Sequence, residues 1–188
     1  MDRKIYILNI KLKKIKPLIW RRIVVMPGIS FFNLHRVIQT TMGWTNSHLH
    51  EFVMGDMILA PAEFEIEYAE HSDKKKLNNF LFEPGHQMKY NYDFGDGWEH
   101  DIELEFILTE PKEEQVPRCI GGKRNCPPED CGGVYGYQEL LRIIADKKDH
   151  EYKEMMKWLG GRFDPEKFDV NTVNKLLKRK DFGCEWIH

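Results

Sequence analysis

A chain of 188 residues that is 41% hydrophobic and 12% aromatic carries enough apolar side chains for a sizeable core, which excludes a disordered polypeptide. Its 28 basic and 30 acidic residues leave a net charge of −2, which excludes a whole-protein field aimed at nucleic acid or acidic membranes. No run approaches the roughly 20 apolar residues of a membrane span, and the charged start MDRKIYILNIKLKK lacks the apolar stretch of a signal peptide. The expectation is therefore a cytoplasmic protein without a membrane partner, in which the 4 cysteines are reduced, metal-bound or inert.

In chain order, YILNIKLKKI alternates apolar and basic residues, with Tyr6, Leu8, Ile10 and Leu12 on one face and Lys11 and Lys13 on the other. That is the pattern of a half-buried strand. PLIWRRIVVMPG predicts a second strand closed by Pro27-Gly28. Lys11, Lys13 and Arg21 belong to a basic N-terminal stretch and are candidate phosphate contacts to a nucleic-acid partner. SFFNLHRVIQTTMGW predicts a helix capped by Ser30 and stopped at Gly43. HLHEFVMGDMIL predicts a strand, a Gly55-Asp56 turn and a returning strand. EFEIEY alternates strictly and predicts a strand with Phe64, Ile66 and Tyr68 inward. The stretch from 77 to 109 is expected to be β, that from 110 to 133 irregular, and the remainder helical. Strands come first and helices last, so the expected fold is a single α+β domain over 1–188. It has an antiparallel-dominated sheet, one early helix and a C-terminal group of helices.

Three stretches carry candidate chemistry. In HLHEF, a strand would point His48 and His50 to one face, a spacing that offers two imidazoles to one metal. In YDFGDGWEH, a three-residue loop Gly95-Asp96-Gly97 would pair Phe94 with Trp98 and Tyr92 with His100, with Gly97 left-handed. That register sets Asp93 opposite Glu99, an arrangement that needs a cation or a donor between them. The motif is then either an architectural hairpin, with Asp side chains capping the turn and His100 in the core, or part of a metal site with His48, His50 and Asp93. In CIGGKRNCPPEDCGG, Cys119, Cys126 and Cys131 are candidate zinc ligands, although their spacing is looser than a zinc knuckle. The alternative is a thiol-bearing loop stiffened by Pro127-Pro128.

Taken together and in order, MGW with HLHEF, then YDFGDGWEHDIELE, then CIGGKRNCPPEDCGGVYGY resemble the plasmid pRiA4b open-reading-frame-three-like family over nearly the whole chain. The matching residues are His48, His50, Asp93, Asp96, Trp98, His100, Cys126, Pro127, Pro128, Glu129, Asp130, Cys131 and Gly133. The resemblance implies a passenger- or resolvase-type protein of plasmids and other mobile elements. Recombinase chemistry would need an N-terminal nucleophilic serine, and this chain has no serine before Ser30. The functional expectation is a non-enzymatic module that binds a protein or a nucleic acid. The alternative is a metal-dependent hydrolase using His48, His50, Asp93 and His100.

Overall fold

A computed structural model describes residues 2–184. Eight strands form one sheet in the order β5-β4-β3-β6-β7-β1-β2-β8. They are β1 (Asp2–Leu12), β2 (Trp20–Val25), β3 (His50–Met54), β4 (Met57–Ala60), β5 (Glu70–His71), β6 (Gln87–Tyr92), β7 (Trp98–Pro111) and β8 (Arg118–Lys123). Every pairing is antiparallel except β4 with β5. Helix α1 (Phe31–Met42) comes early, and α2 (Gly133–Ala145), α3 (Tyr152–Trp158) and α4 (Val170–Leu177) follow the sheet. The fold is α+β, as the order of patterns predicts. Among the described residues, no helix is long and apolar enough to cross a membrane.

The inward residues of β1 (Tyr6, Leu8, Ile10, Leu12) share one core with Leu34, Val37 and Ile38 of α1, Tyr137 and Leu140 of α2, and Leu177 of α4. Helix α1 starts where Ser30 accepts from the Asn33 N–H and ends at Gly43, which has φ 104°. Asp169 caps α4 in the same way. A bulge at Glu105, where Ile7 faces Phe106 but Leu8 faces Leu104, flips the alternation of β7. Phe106 therefore turns to solvent, although it shares the parity of Ile102 and Leu104.

Four expectations need correction. EFEIEY is not a strand: Ala62–Phe64 is a 3-10 turn, Glu65 is left-handed, and Tyr68 is exposed. The segment links β4 to the edge strand β5 and, among the described residues, pairs with no strand itself. Phe64 instead meets the His50 ring edge-on at 5.2 Å. Secondly, the stretch 110–133 is not wholly irregular, because β8 pairs with β2 inside it. Helix α2 also begins at Gly133, close behind the cysteine loop.

The third correction concerns the hairpin. Its register is Tyr92 with Trp98 and Tyr90 with His100, so the loop has five residues, Asp93–Gly97. Asp93 takes φ 57°, its Oδ1 accepts from the Gly95 and Asp96 N–H groups, and its carbonyl accepts from the Gly97 N–H. An Asp that tolerates the left-handed region and caps the loop ends strand pairing two residues early. A slip of two keeps every side chain on its own face. Trp98 and His100 thus stay buried, Phe94 becomes exposed, and Asn91 rather than Asp93 faces Glu99.

The fourth concerns the basic strands. On the outer face of the sheet Lys11 pairs with Glu103, Lys13 with Asp101, Lys14 with Glu99 and Arg22 with Glu105. The strand that looked basic in isolation is thus neutralised by its neighbour β7. Arg21 points the other way and is 1% exposed. It cannot touch a phosphate from there.

Candidate metal centre

Three segments far apart in sequence meet at one end of the sheet: residues 44–49 after α1, the hairpin tip Asp93–Gly97, and the loop Cys126–Gly133. Trp44 of the first donates its indole N–H to the Pro127 carbonyl of the third at 3.1 Å, and the Asp93 N–H donates to the Leu49 carbonyl. Asp96 Oδ2 accepts from the Gly132 N–H at 3.2 Å. The approach of hairpin to loop is so close that a Cβ on Gly133, at φ 66°, would stand 2.4 Å from the Asp96 carbonyl oxygen. Gly97, at φ 67°, has open space around it. Gly97→Ala is therefore expected to cost about 1 kcal/mol from backbone strain alone. Gly133→Ala is expected to cost about 2–3 kcal/mol, because strain and clash combine. Urea unfolding of the two variants side by side checks this; equal losses would show that hairpin and loop are not in close contact.

Where the three segments meet, His48 Nε2, an Asp93 carboxylate oxygen and a Glu129 carboxylate oxygen all lie within 4.8 Å of one another. From His48 Nε2 the distances are 3.7 Å to Asp93 Oδ2, 3.9 Å to Glu129 Oε2 and 3.3 Å to Asp130 Oδ1. Asp93 and Glu129 each have one oxygen tethered and the other directed at this point. Asp93 Oδ1 caps the hairpin loop. Glu129 Oε1 accepts from the Thr45 N–H at 2.8 Å, the Thr45 hydroxyl at 3.1 Å and the Tyr92 hydroxyl at 3.0 Å. Burial and the neighbouring Glu129 raise the Tyr92 pKa, so its phenol stays a donor. His48 Nε2 and Glu129 Oε2 are buried yet have no hydrogen-bond partner.

Of the predicted ligands, His48 and Asp93 come together, while His50 and His100 do not join them. His48 precedes β3, so the two-residue strand spacing does not apply to it. His50 points under α1 and stacks on His35 at 3.4 Å between ring centroids. His100 is fully buried, with Nδ1 3.0 Å from the Tyr90 carbonyl. The thiols do not assemble either: among the described residues, no group of three candidate ligand atoms includes a cysteine. Cys119 is bound into β8, and Cys126 is buried, which raises both thiol pKa values. The Cys131 thiol is pushed up to about 12 by burial and then by Asp96 and Glu129. Glu129 and Asp130 stood out as motif residues without a ligand role, and their pairing with His48 and Asp93 is visible only in three dimensions.

The stretches that build this cluster are the same ones that carry the family resemblance. The sequence profile of the plasmid pRiA4b ORF-3-like proteins matches residues 4–172. The chain belongs to the plasmid pRiA4b ORF-3-like family. A relative from Sinorhizobium fredii (strain NBRC 101917 / NGR234), the uncharacterized protein y4hQ, is 35% identical over 182 residues, covering 95% of this chain and 92% of that protein. The crystal structure of MM3350, a protein of unknown function from Methanosarcina mazei Go1, is 38% identical with a TM-score of 0.82. The match covers 90% of this chain and 97% of that one. Residues 48, 93, 129 and 130 all fall within the span that the family profile matches.

Proposed function

We propose that this pRiA4b ORF-3-like protein is a metal-dependent module that holds one divalent transition ion on His48, Asp93 and Glu129, with Asp130 as a fourth, more exposed ligand. The observation that carries this reading is the pair of buried, unpartnered atoms, His48 Nε2 and Glu129 Oε2, directed at each other and at Asp93 Oδ2. Two carboxylates and an imidazole in that arrangement leave unbalanced negative charge unless a cation sits between them. Ligand bonds of about 2.1 Å imply ligand–ligand separations of about 3.0–3.4 Å; His48 Nε2 stands 3.7 and 3.9 Å from Asp93 and Glu129, and all three atoms lie within 4.8 Å of one another, so the cluster closes on an ion by contracting. One nitrogen with several carboxylate oxygens is a donor set that suits zinc or manganese. The hydrogen bonds from Thr45 and Tyr92 to Glu129 are the outer support that such ligands need. With solvent reaching Asp130, an ion here keeps a position for water and is equipped for hydrolysis.

The test is calorimetric titration of chelator-treated protein with zinc and with manganese, together with melting curves. Bound metal is expected to stabilise the fold by about 2.7 kcal/mol at a hundred times its dissociation constant. His48→Ala and Glu129→Gln are expected to weaken binding by 10-fold or more. Asp93→Asn keeps the oxygen that caps the hairpin. In chelator it is expected to be neutral or stabilising, because repulsion with Glu129 is relieved; with metal it loses the added stability. Metal affinity that is unchanged in His48→Ala and Glu129→Gln would end this reading.

A further inference from the structure

A groove of about 360 Å³ lies between α2 and α3 and opens at Asp130 and Cys131, so it begins at the metal cluster. Glu151, Glu154, Met155 and Trp158 line it from the α3 side at spacings of three and four, which places all four on one face. No lysine or arginine lines it, although Lys153 and Lys157 belong to the same helix. Glu151 and Glu154 have no ion pair among the described residues, and the indole of Trp158 is 51% exposed.

On the reading that the cluster holds a metal, we infer that this groove selects the substrate. It accepts a group with an apolar stem and a cationic end, an alkylammonium or guanidinium. The stem lies along Met155 and Leu140, and the cation sits between the Trp158 ring and the carboxylates of Glu151 and Glu154. An aromatic face and carboxylates together bind such a cation, whereas a phosphate or a carboxylate meets only like charge. The groove itself offers no cation to a phosphate, which sets nucleotides and nucleic acid apart from the ligands its lining suits.

Equilibrium titration of the full chain with N-acetyl-lysine methylamide and with its neutral norleucine counterpart tests this, each with and without zinc. The cationic probe is expected to bind about ten-fold more tightly. The preference should disappear in Glu151→Gln/Glu154→Gln and shrink in Trp158→Ala, and the titration with zinc should be unchanged in both variants. Running 1,5-diaminopentane alongside separates a peptide side chain from a free amine as the natural source. Equal binding of charged and neutral probes, or a preference that survives Glu151→Gln/Glu154→Gln, overturns the inference. Zinc bound without any cation preference defeats this inference alone, whereas cation preference without zinc binding defeats the metal reading and leaves the groove's selectivity standing.

Discussion

Arg21→Ala is expected to be the most damaging single substitution outside the candidate metal centre, costing about 3–5 kcal/mol. The guanidinium is buried and has no carboxylate partner among the described residues. It is satisfied by carbonyls: Nε donates to Thr41 at 2.6 Å, Nη1 to Trp20 at 2.8 Å and Lys123 at 3.0 Å, and Nη2 to Arg124 at 2.9 Å. Its plane lies over the Phe168 ring at 4.0 Å. One side chain therefore ties β2 to the end of α1, to the exit of β8 and to the segment that leads into α4. Gly122 leaves room for this stack, since a Cβ there would stand 2.6 Å from Phe168 and 2.9 Å from the Arg21 side chain. Removing the guanidinium strands several buried carbonyls at once, each costing about 1–3 kcal/mol if water cannot reach it. Lysine keeps the charge but not the planar fork, so Arg21→Lys should recover only part of the loss. Because Lys123 and Arg124 run directly into the 126–131 loop, metal affinity should fall as well. Urea unfolding and a zinc titration on the two variants check both effects; a loss under 1 kcal/mol for Arg21→Ala would contradict this account.

Arg21 also shows what was legible and what was not. It shares the parity of Ile23 and Val25, which are buried, so the period-two pattern of WRRIVV already pointed it inward. Grouping it with Lys11 and Lys13 by charge overrode that signal. The lysines themselves were correctly read as outward, but their neutralisation by Asp101 and Glu103 depends on which strand lies beside β1, and strand order is not written in local pattern. His35 follows the same logic on a helix, one position from Leu34 and three from Ile38 on the buried stripe, where its burial was predictable. The metal cluster is different in kind. Its residues lie at 48, 93, 129 and 130, so motif reading marks each of them, while only the packing of Trp44 on the Pro127 carbonyl and of Gly132 on Asp96 brings them together.

Acidification is expected to destabilise the protein before its carboxylates titrate, because three imidazoles must remain neutral in the fold. His35 closes a ring of hydrogen bonds. Gln39 donates to the Tyr90 hydroxyl, Tyr90 donates to His35 Nδ1, His35 Nε2 donates to Asn46 Oδ1, and the Asn46 N–H returns to Gln39 Oε1. A second ring proton on His35 would leave Tyr90 without an acceptor. His50, stacked on His35, would set a second cation 3.4 Å from the first. Burial lowers the pKa of all three: His35 to about 4, offset by the Asn46 hydrogen bond and aided by Arg36; His100 to about 4, offset by the Tyr90 and Trp98 backbone; and His50 further through the charge of His35. A histidine whose folded pKa lies below its unfolded value of about 6.5 stabilises fully above that value and progressively less as pH falls toward the folded one. Each contributes a slope of up to about 1.4 kcal/mol per pH unit, so three give about 4 kcal/mol per unit between pH 6 and 4. A total stability of about 5–15 kcal/mol is then largely consumed within two to three units below neutrality. The carboxylates of Glu99 and Glu105, whose pKa values are lowered chiefly by hydrogen bonds from Lys14 and Arg22, lose their contribution only as pH drops below about 4.5, a separate window. Urea midpoints measured in chelator from pH 8 to 4 should therefore stay level above pH 7 and fall steeply below 6. His50→Phe should make that fall shallower by about one proton. Constant stability from pH 7 to 5 would mean that these imidazoles accept protons without leaving the core.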